Sequence, residues 1–340
     1  MVLLTALLLM LTGILLGGCG RLQGDPEGAL RDEPQKLTIV TTIFPEYDWT
    51  RNILGSDPAG AELILLMDNG VDPHSYQPSV EDIMTISGCD LFIYVGGESD
   101  AWVEDALKEA VNPDLKTVNL MEALGNAAKE EAFVEGMQEE EHGADAEDAQ
   151  EDGGKDHEHE EEPEYDEHVW LSLKNAMILS EAIEAALSEI DPENAAVYQD
   201  NLDNYKAELA ALDKKYEEVV SAAAVKTLLF GDRFPFRYLA DDYGLSYYAA
   251  FPGCSAETEA SFETILFLSE KVKELSLPAV LTIDGSDKKI AETVAANAGV
   301  SAKILTLDSM QSVKKEEIDT GTTYLSLMEK NLSVLQEALQ

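Results

Sequence analysis

Tyr198, Leu202, Tyr205, Leu209, Leu212, Tyr216 and Val219 recur at spacings of four and three, with charged residues between them. That period places all of them on one face of a single helix. The helix is expected to begin at the N-cap and proline pair Asp191-Pro192 and to run unbroken for roughly 30 residues, about 45 Å. A rod of that length does not fit inside one small core. The chain has 340 residues, enough by length for two domains, and the stripe lies between two α/β regions. It therefore reads as a connecting helix packed against both, not as a coiled coil.

On the N-terminal side, Leu37 to Phe44 is β-branched and nearly continuously apolar, the pattern of a strand buried on both faces of a parallel sheet. Short apolar runs follow at Leu63 to Met67 and Leu91 to Val95, with helical sequence from Ser79 to Ile86 between them. Beyond the long helix the rhythm returns, with strands expected at 227–230, 247–250, 279–283 and 303–307. Helices are expected near Tyr238, over 260–275 and 289–298, and from Tyr324 to the end. Strands alternating with helices argue for βαβ units. The expected fold is α/β: two lobes, 37–190 and 223–340, each with a mainly parallel sheet flanked by helices, joined by the helix at 191–222.

Residues 1–19 form an uncharged apolar run that ends in small residues and Cys19, of signal-peptide length and short for a membrane span. The run from Leu16 to Cys19 resembles a bacterial lipobox, which makes Cys19 the expected lipid anchor. Residues 20–36 then read as a flexible tether. The formal charge of −44 would repel nucleic acids and anionic lipid surfaces and suits a protein that attracts cations. Nineteen of the thirty-nine residues from Lys129 to Glu167 are acidic, so this stretch is expected to be a mobile loop that cannot pack.

Three segments carry candidate chemistry. His74 lies in a turn-rich loop between a strand and a helix, with Pro73 and Pro78 restricting the backbone; such loops hold ligands in open α/β sheets. His168 lies where the acidic stretch gives way to apolar sequence. Asp284 follows a predicted buried strand, with Asp287 three residues on, and either could equally be a helix cap. Cys89 and Cys254 are expected in different lobes and unpaired, with Cys254 a buried inert thiol more readily than a soft ligand.

The segments Gly70-Val-Asp-Pro-His74-Ser-Tyr-Gln-Pro-Ser79, Asp166-Glu-His168-Val-Trp-Leu-Ser172, Arg237-Tyr-Leu-Ala-Asp-Asp-Tyr-Gly-Leu245 and Lys289-Ile-Ala-Glu-Thr-Val294 resemble the zinc and manganese solute-binding lipoproteins of ATP-binding-cassette importers. The resemblance runs from about Leu37 to the C-terminus. It implies a metal held in the cleft between the lobes by His74, His168 and a carboxylate, best Asp284 and next Asp287. It also implies delivery to a membrane permease by a monomeric, non-enzymatic protein anchored on the outer face of the cytoplasmic membrane. The position at which zinc-binding members carry a third histidine is occupied here by Arg233, a permanent cation with no lone pair to offer. Asp232 could supply the oxygen instead, water could complete the site, or Arg233 could neutralise an anion arriving with the metal.

Two imidazoles and one or two carboxylates suit Zn(II), Mn(II) or Fe(II), and geometry decides among them. His142, His157 and His159 in the acidic stretch tilt the reading towards zinc, because that stretch resembles the histidine-rich loop of zinc-binding members. A metallohydrolase is disfavoured, since the sequence has no His-Glu-x-x-His or Gly-x-Ser-x-Gly segment. Binding of an anionic metal chelate and adhesion to another cell surface stand as further readings.

Overall fold

The computed structural model describes residues 36–55, 60–138, 164–255 and 259–340. In the first lobe the order is Thr38–Thr41 (β1), Phe44–Leu54 (α1), Glu62–Leu65 (β2), Val80–Gly88 (α2), Leu91–Tyr94 (β3), Val103–Lys108 (α3), Lys116–Asn119 (β4) and Leu120–Leu124 (α4). Leu173–Ile190 (α5) and Ala195–Ala222 (α6) follow. The second lobe runs Thr227–Phe234 (β5), Arg237–Tyr243 (α7), Ser246–Pro252 (β6), Phe262–Glu274 (α8), Ala279–Ile283 (β7), Lys289–Ala298 (α9), Lys303–Leu307 (β8), Lys315–Asp319 (α10) and Tyr324–Ala338 (α11).

Each lobe is built on a four-stranded, wholly parallel sheet, β2-β1-β3-β4 and β6-β5-β7-β8. Val40 lies beside both Ile64 and Phe92, and Leu281 lies beside Leu305 and Phe230. The central strands are apolar on both faces because helices cover both sides. In each sheet the order reverses at its first strand, and the crevice at the carboxyl ends of such strands is where loops can converge on a ligand.

The stripe that predicts the long helix is its buried face: Tyr198, Leu202, Tyr205, Leu209, Leu212 and Tyr216 are all buried. They belong to one apolar core that continues from β1 and α1 through α6 to β7 and α11, so the two lobes share their interior. Polar ties reinforce it. The Asn201 side-chain amide donates to the Ile53 carbonyl (2.9 Å), and the Tyr216 hydroxyl donates to the Met328 carbonyl (2.6 Å). Asp48 in α1 accepts from the Tyr324 amide at the start of α11 (2.9 Å). Among the described residues no helix is long and apolar enough to cross a membrane.

The structure corrects several expectations. Asp191 does not cap α6; its carboxylate takes hydrogen bonds from Asn194 (2.8 Å) and the Tyr198 hydroxyl (2.6 Å), which orders the turn between α5 and α6. The apolar run from Leu37 is divided, because Pro45 and the buried Glu46, accepting from the Thr42 and Ile43 amides (2.8 and 3.2 Å), start α1 within it. The acidic stretch is not free at its ends. Glu131 donates its amide to the Glu164 carbonyl (2.8 Å), the Asp166 amide donates to the Lys129 carbonyl (2.9 Å), and Asp166 and Glu167 are buried.

Candidate metal centre

His74 stands in a single 3-10 turn, Pro73–Ser75, whose entry is fixed by Pro73 and by the Asp72 carboxylate accepting the His74 amide (3.0 Å). Its ring nitrogen Nδ1 lies 2.7 Å from Ser99 Oγ, and the Ser99 amide donates to Glu167 Oε1 (2.9 Å). Glu167 reaches that position because Gly97, at φ +87°, has no side chain; a Cβ there would come within 2.4 Å of the carboxylate. His168 is fully buried, and Asp166 Oδ1 accepts from both its amide and its Nδ1, each at 2.9 Å. The consecutive acids Asp166 and Glu167 thus orient the two imidazoles, one directly and one through a serine.

With both Nδ1 atoms engaged, the two Nε2 atoms face each other at 3.2 Å. At that distance a proton on one ring or a cation between the two satisfies both nitrogens. Burial, with the His168 ring and Arg233 adding to it, pushes the His74 imidazole down to about 3 against the pull of Asp72. Carboxylates of Asp166, Glu167 and Glu131 surround the pair; burial raises both glutamates above their ordinary range.

The third group here is Cys254. One donor atom each of His74, His168 and Cys254 lies within 4.8 Å of the others, the one such convergence of histidine, cysteine and acidic side chains among the described residues. The turn after β6 brings the thiol in: a Cβ on Gly253 would sit 3.1 Å from the His168 ring, and the Cys254 amide donates to Glu131 Oε1 (3.1 Å). Burial, followed by the nearby Asp166, Glu131 and Glu167 charges, raises the thiol well above its usual value. It stays protonated until a cation displaces the proton. Cys254 is half-buried and stands beside the imidazole pair. Gln311 completes the surroundings, with Nε2 3.0 Å from His168 Nε2 and a buried Oε1 that has no hydrogen-bond partner.

The remaining sequence candidates line an adjoining cavity of about 500 Å³ that also reaches His74. Asp284 is in its wall, but its carboxylate already accepts from the Ser309 amide and hydroxyl (2.6 and 2.7 Å) and from Ser312 (2.6 Å). Asp232 accepts its neighbour's amide, that of Arg233 (2.9 Å). Asp287 is exposed and paired with Lys289. Arg233 forms an ion pair with Asp72 across the cleft; burial raises that carboxyl, but the guanidinium and His74 together hold it below the usual range. Cys89 is wholly buried in the first lobe, and neither it nor Cys254 is in a disulfide. His142, His157, His159 and Cys19 lie outside the described residues.

The family described as the periplasmic component A of the zinc-uptake complex, ZnuA, matches residues 39–338. The chain belongs to that family. It is 33% identical over 305 residues to the zinc-binding lipoprotein AdcA of Streptococcus pneumoniae, with 89% of this chain and 56% of the relative covered. It is also 30% identical over 326 residues to the high-affinity zinc uptake system protein ZnuA of Bacillus subtilis, covering 96% of this chain and 94% of that one. The chain thus spans just over half the length of the AdcA relatives it matches and nearly all of the Bacillus one. The Zn(II)-bound ZnuA-like domain of S. pneumoniae AdcA has the same fold, with a TM-score of 0.67, 29% identity and coverage of 89% of this chain and 99% of that one.

Proposed function

We propose that this protein captures Zn(II) outside the cytoplasmic membrane and passes it to an ATP-binding-cassette permease, as a carrier and not as a catalyst. The observation that carries this reading is the pair of imidazole Nε2 atoms turned towards each other at 3.2 Å, each with its other nitrogen held. Two fixed nitrogen donors favour zinc over manganese, which prefers oxygen. Family membership and the zinc-binding names of the relatives support the same ion.

His74 and His168 are the ligands at the centre of this reading, Cys19 is the lipid anchor, and His142, His157 and His159 form weak auxiliary sites that feed the cleft. Asp284 orders the loop that carries Ser309, Gln311 and Ser312. The Arg233 guanidinium is already neutralised by Asp72, which speaks against an anionic chelate as cargo. Calorimetric titration of the metal-stripped protein with Zn(II) and Mn(II) tests the reading. A tight one-to-one event with zinc and a weaker one with manganese is the expected result; no tight event with either ion overturns it.

A further inference from the structure

We propose that Cys254 is a metal ligand, so that the cargo site is a two-imidazole, one-thiolate set that selects thiophilic divalent cations over Mn(II). The inference rests on the capture reading above and specifies its chemistry. Of the two positions in the second lobe that the family resemblance marks for ligands, Arg233 is paired with Asp72, and Asp284, which accepts from Ser309 and Ser312, is not among the donors that converge on the imidazole pair. The thiol stands beside the imidazole pair, its sulfur within 4.8 Å of one ring nitrogen of each histidine.

Its surroundings are those of a held ligand and not of core filling. Cys89 supplies the contrast, being 0% exposed inside an apolar cluster with Val40, Ile86 and Phe92. Cys254 instead lines a separate cavity of about 230 Å³ together with His74, Ser99, Glu131 and Glu167. Gly253 allows the turn to close on the His168 ring, and Glu131 fixes the Cys254 amide, so the sulfur is presented at low conformational cost.

Coordination forms a metal–sulfur bond and breaks the S–H bond, with the proton leaving to solvent and no change of oxidation state. The added thiolate offsets one of the ion's two charges and favours soft or borderline cations, Zn(II), Cd(II) and Co(II), over Mn(II) and Mg(II). A fourth place of a tetrahedral set, bordered by Gln311, stays exchangeable, as a site that must release its cargo requires.

The test is an anaerobic titration of the full, metal-stripped chain with Co(II), followed by absorption spectroscopy and competition with Zn(II) and Mn(II). The wild type is expected to show intense tetrahedral visible bands and a near-ultraviolet sulfur-to-cobalt charge-transfer band. Cys254→Ser should abolish the charge-transfer band and weaken zinc by at least about 100-fold, since even outer partners of metal ligands contribute 10- to 100-fold. Cys254→Asp should move the preference towards Mn(II), and Cys89→Ser should change neither band nor affinity. Circular dichroism of each variant confirms that it is folded. One-to-one Co(II) binding in the wild type without a charge-transfer band overturns the thiolate assignment while leaving metal capture standing. Absence of one-to-one binding overturns the capture reading itself.

Discussion

The two sheets have the same strand order, yet the lobes bring different things to the cleft. The N-terminal lobe supplies two imidazoles already oriented by Asp166 and, through Ser99, by Glu167. The C-terminal lobe supplies a thiol on a turn, a guanidinium and a carboxylate, and the last two are bonded to other partners. On the proposed reading, one half of the site is fixed by hydrogen bonds to buried acidic side chains, and the thiol of the other half sets selectivity. A binding protein can then keep its affinity for a class of ion in one lobe and adjust which member it takes in the other.

The largest break in this contrast comes from the fixed half. His74→Ala should remove the tight zinc event in calorimetry, a loss beyond about 100-fold, because a direct ligand contributes more than the groups behind it. Retention of wild-type affinity would show that the imidazole pair is not the site. Next in size, Asp166→Asn should weaken zinc about 10- to 100-fold in competition with a chelating dye, with little change in the fold, since it loosens His168 without removing it. An unchanged affinity would make Asp166 a purely structural partner.

The adjustable half is probed by Arg233→His in a Cys254→Ser background. A third imidazole at the position where zinc-binding relatives are expected to carry one should recover about tenfold of the zinc affinity lost with the thiol, a deliberately modest figure given that Asp72 loses its partner. No recovery would mean that β5 holds position 233 too far from the imidazole pair.

The smallest effect concerns the rigidity of the N-terminal half. Burial, with Glu167 nearby, raises the Asp100 carboxyl to about 7 in the folded protein. Between its ordinary value and about 7 the folded state holds a proton that the unfolded state has released, so stability falls as pH rises through that window and levels off above it. Asp100→Asn removes this penalty. Thermal melts should show a gain of about 3–6 °C at pH 8 that vanishes near pH 4; an equal gain at both values would exclude a charge effect.

Much of the fold is legible in the sequence where apolar runs end at strong breakers. β7, after Pro278 and before Gly285, and α9, which ends at Gly299, lie where the pattern puts them. β4 is not legible: Lys116-Thr-Val-Asn is an edge strand with no apolar run, and it exists because β3 offers it a hydrogen-bonding edge. At the site, the two histidine segments can be found from local sequence. The approach of Cys254 cannot, because it depends on Gly253 packing against a ring that lies far from it in the chain. The oddity of Arg233 is visible in the sequence, but its partner Asp72 is a tertiary fact.

The ends of the acidic stretch have a mechanical meaning. On its return, the chain is paired with Lys129 and Glu131, and the Tyr238 hydroxyl, accepting from the Lys129 amide and donating to the Asp166 carbonyl, clasps both sides. On its way out, Gln138 donates its amide to the Ala250 carbonyl (2.9 Å) and accepts from the Ser261 amide (2.7 Å), the two flanks of the loop that carries Cys254. The described borders of the acidic stretch, Gln138 and Glu164, are thus tied at one end to the thiol's loop and at the other to the segment that leads into Asp166 and His168. A reporter grafted between those borders would be joined to the proposed metal site without altering His74, His168 or Cys254.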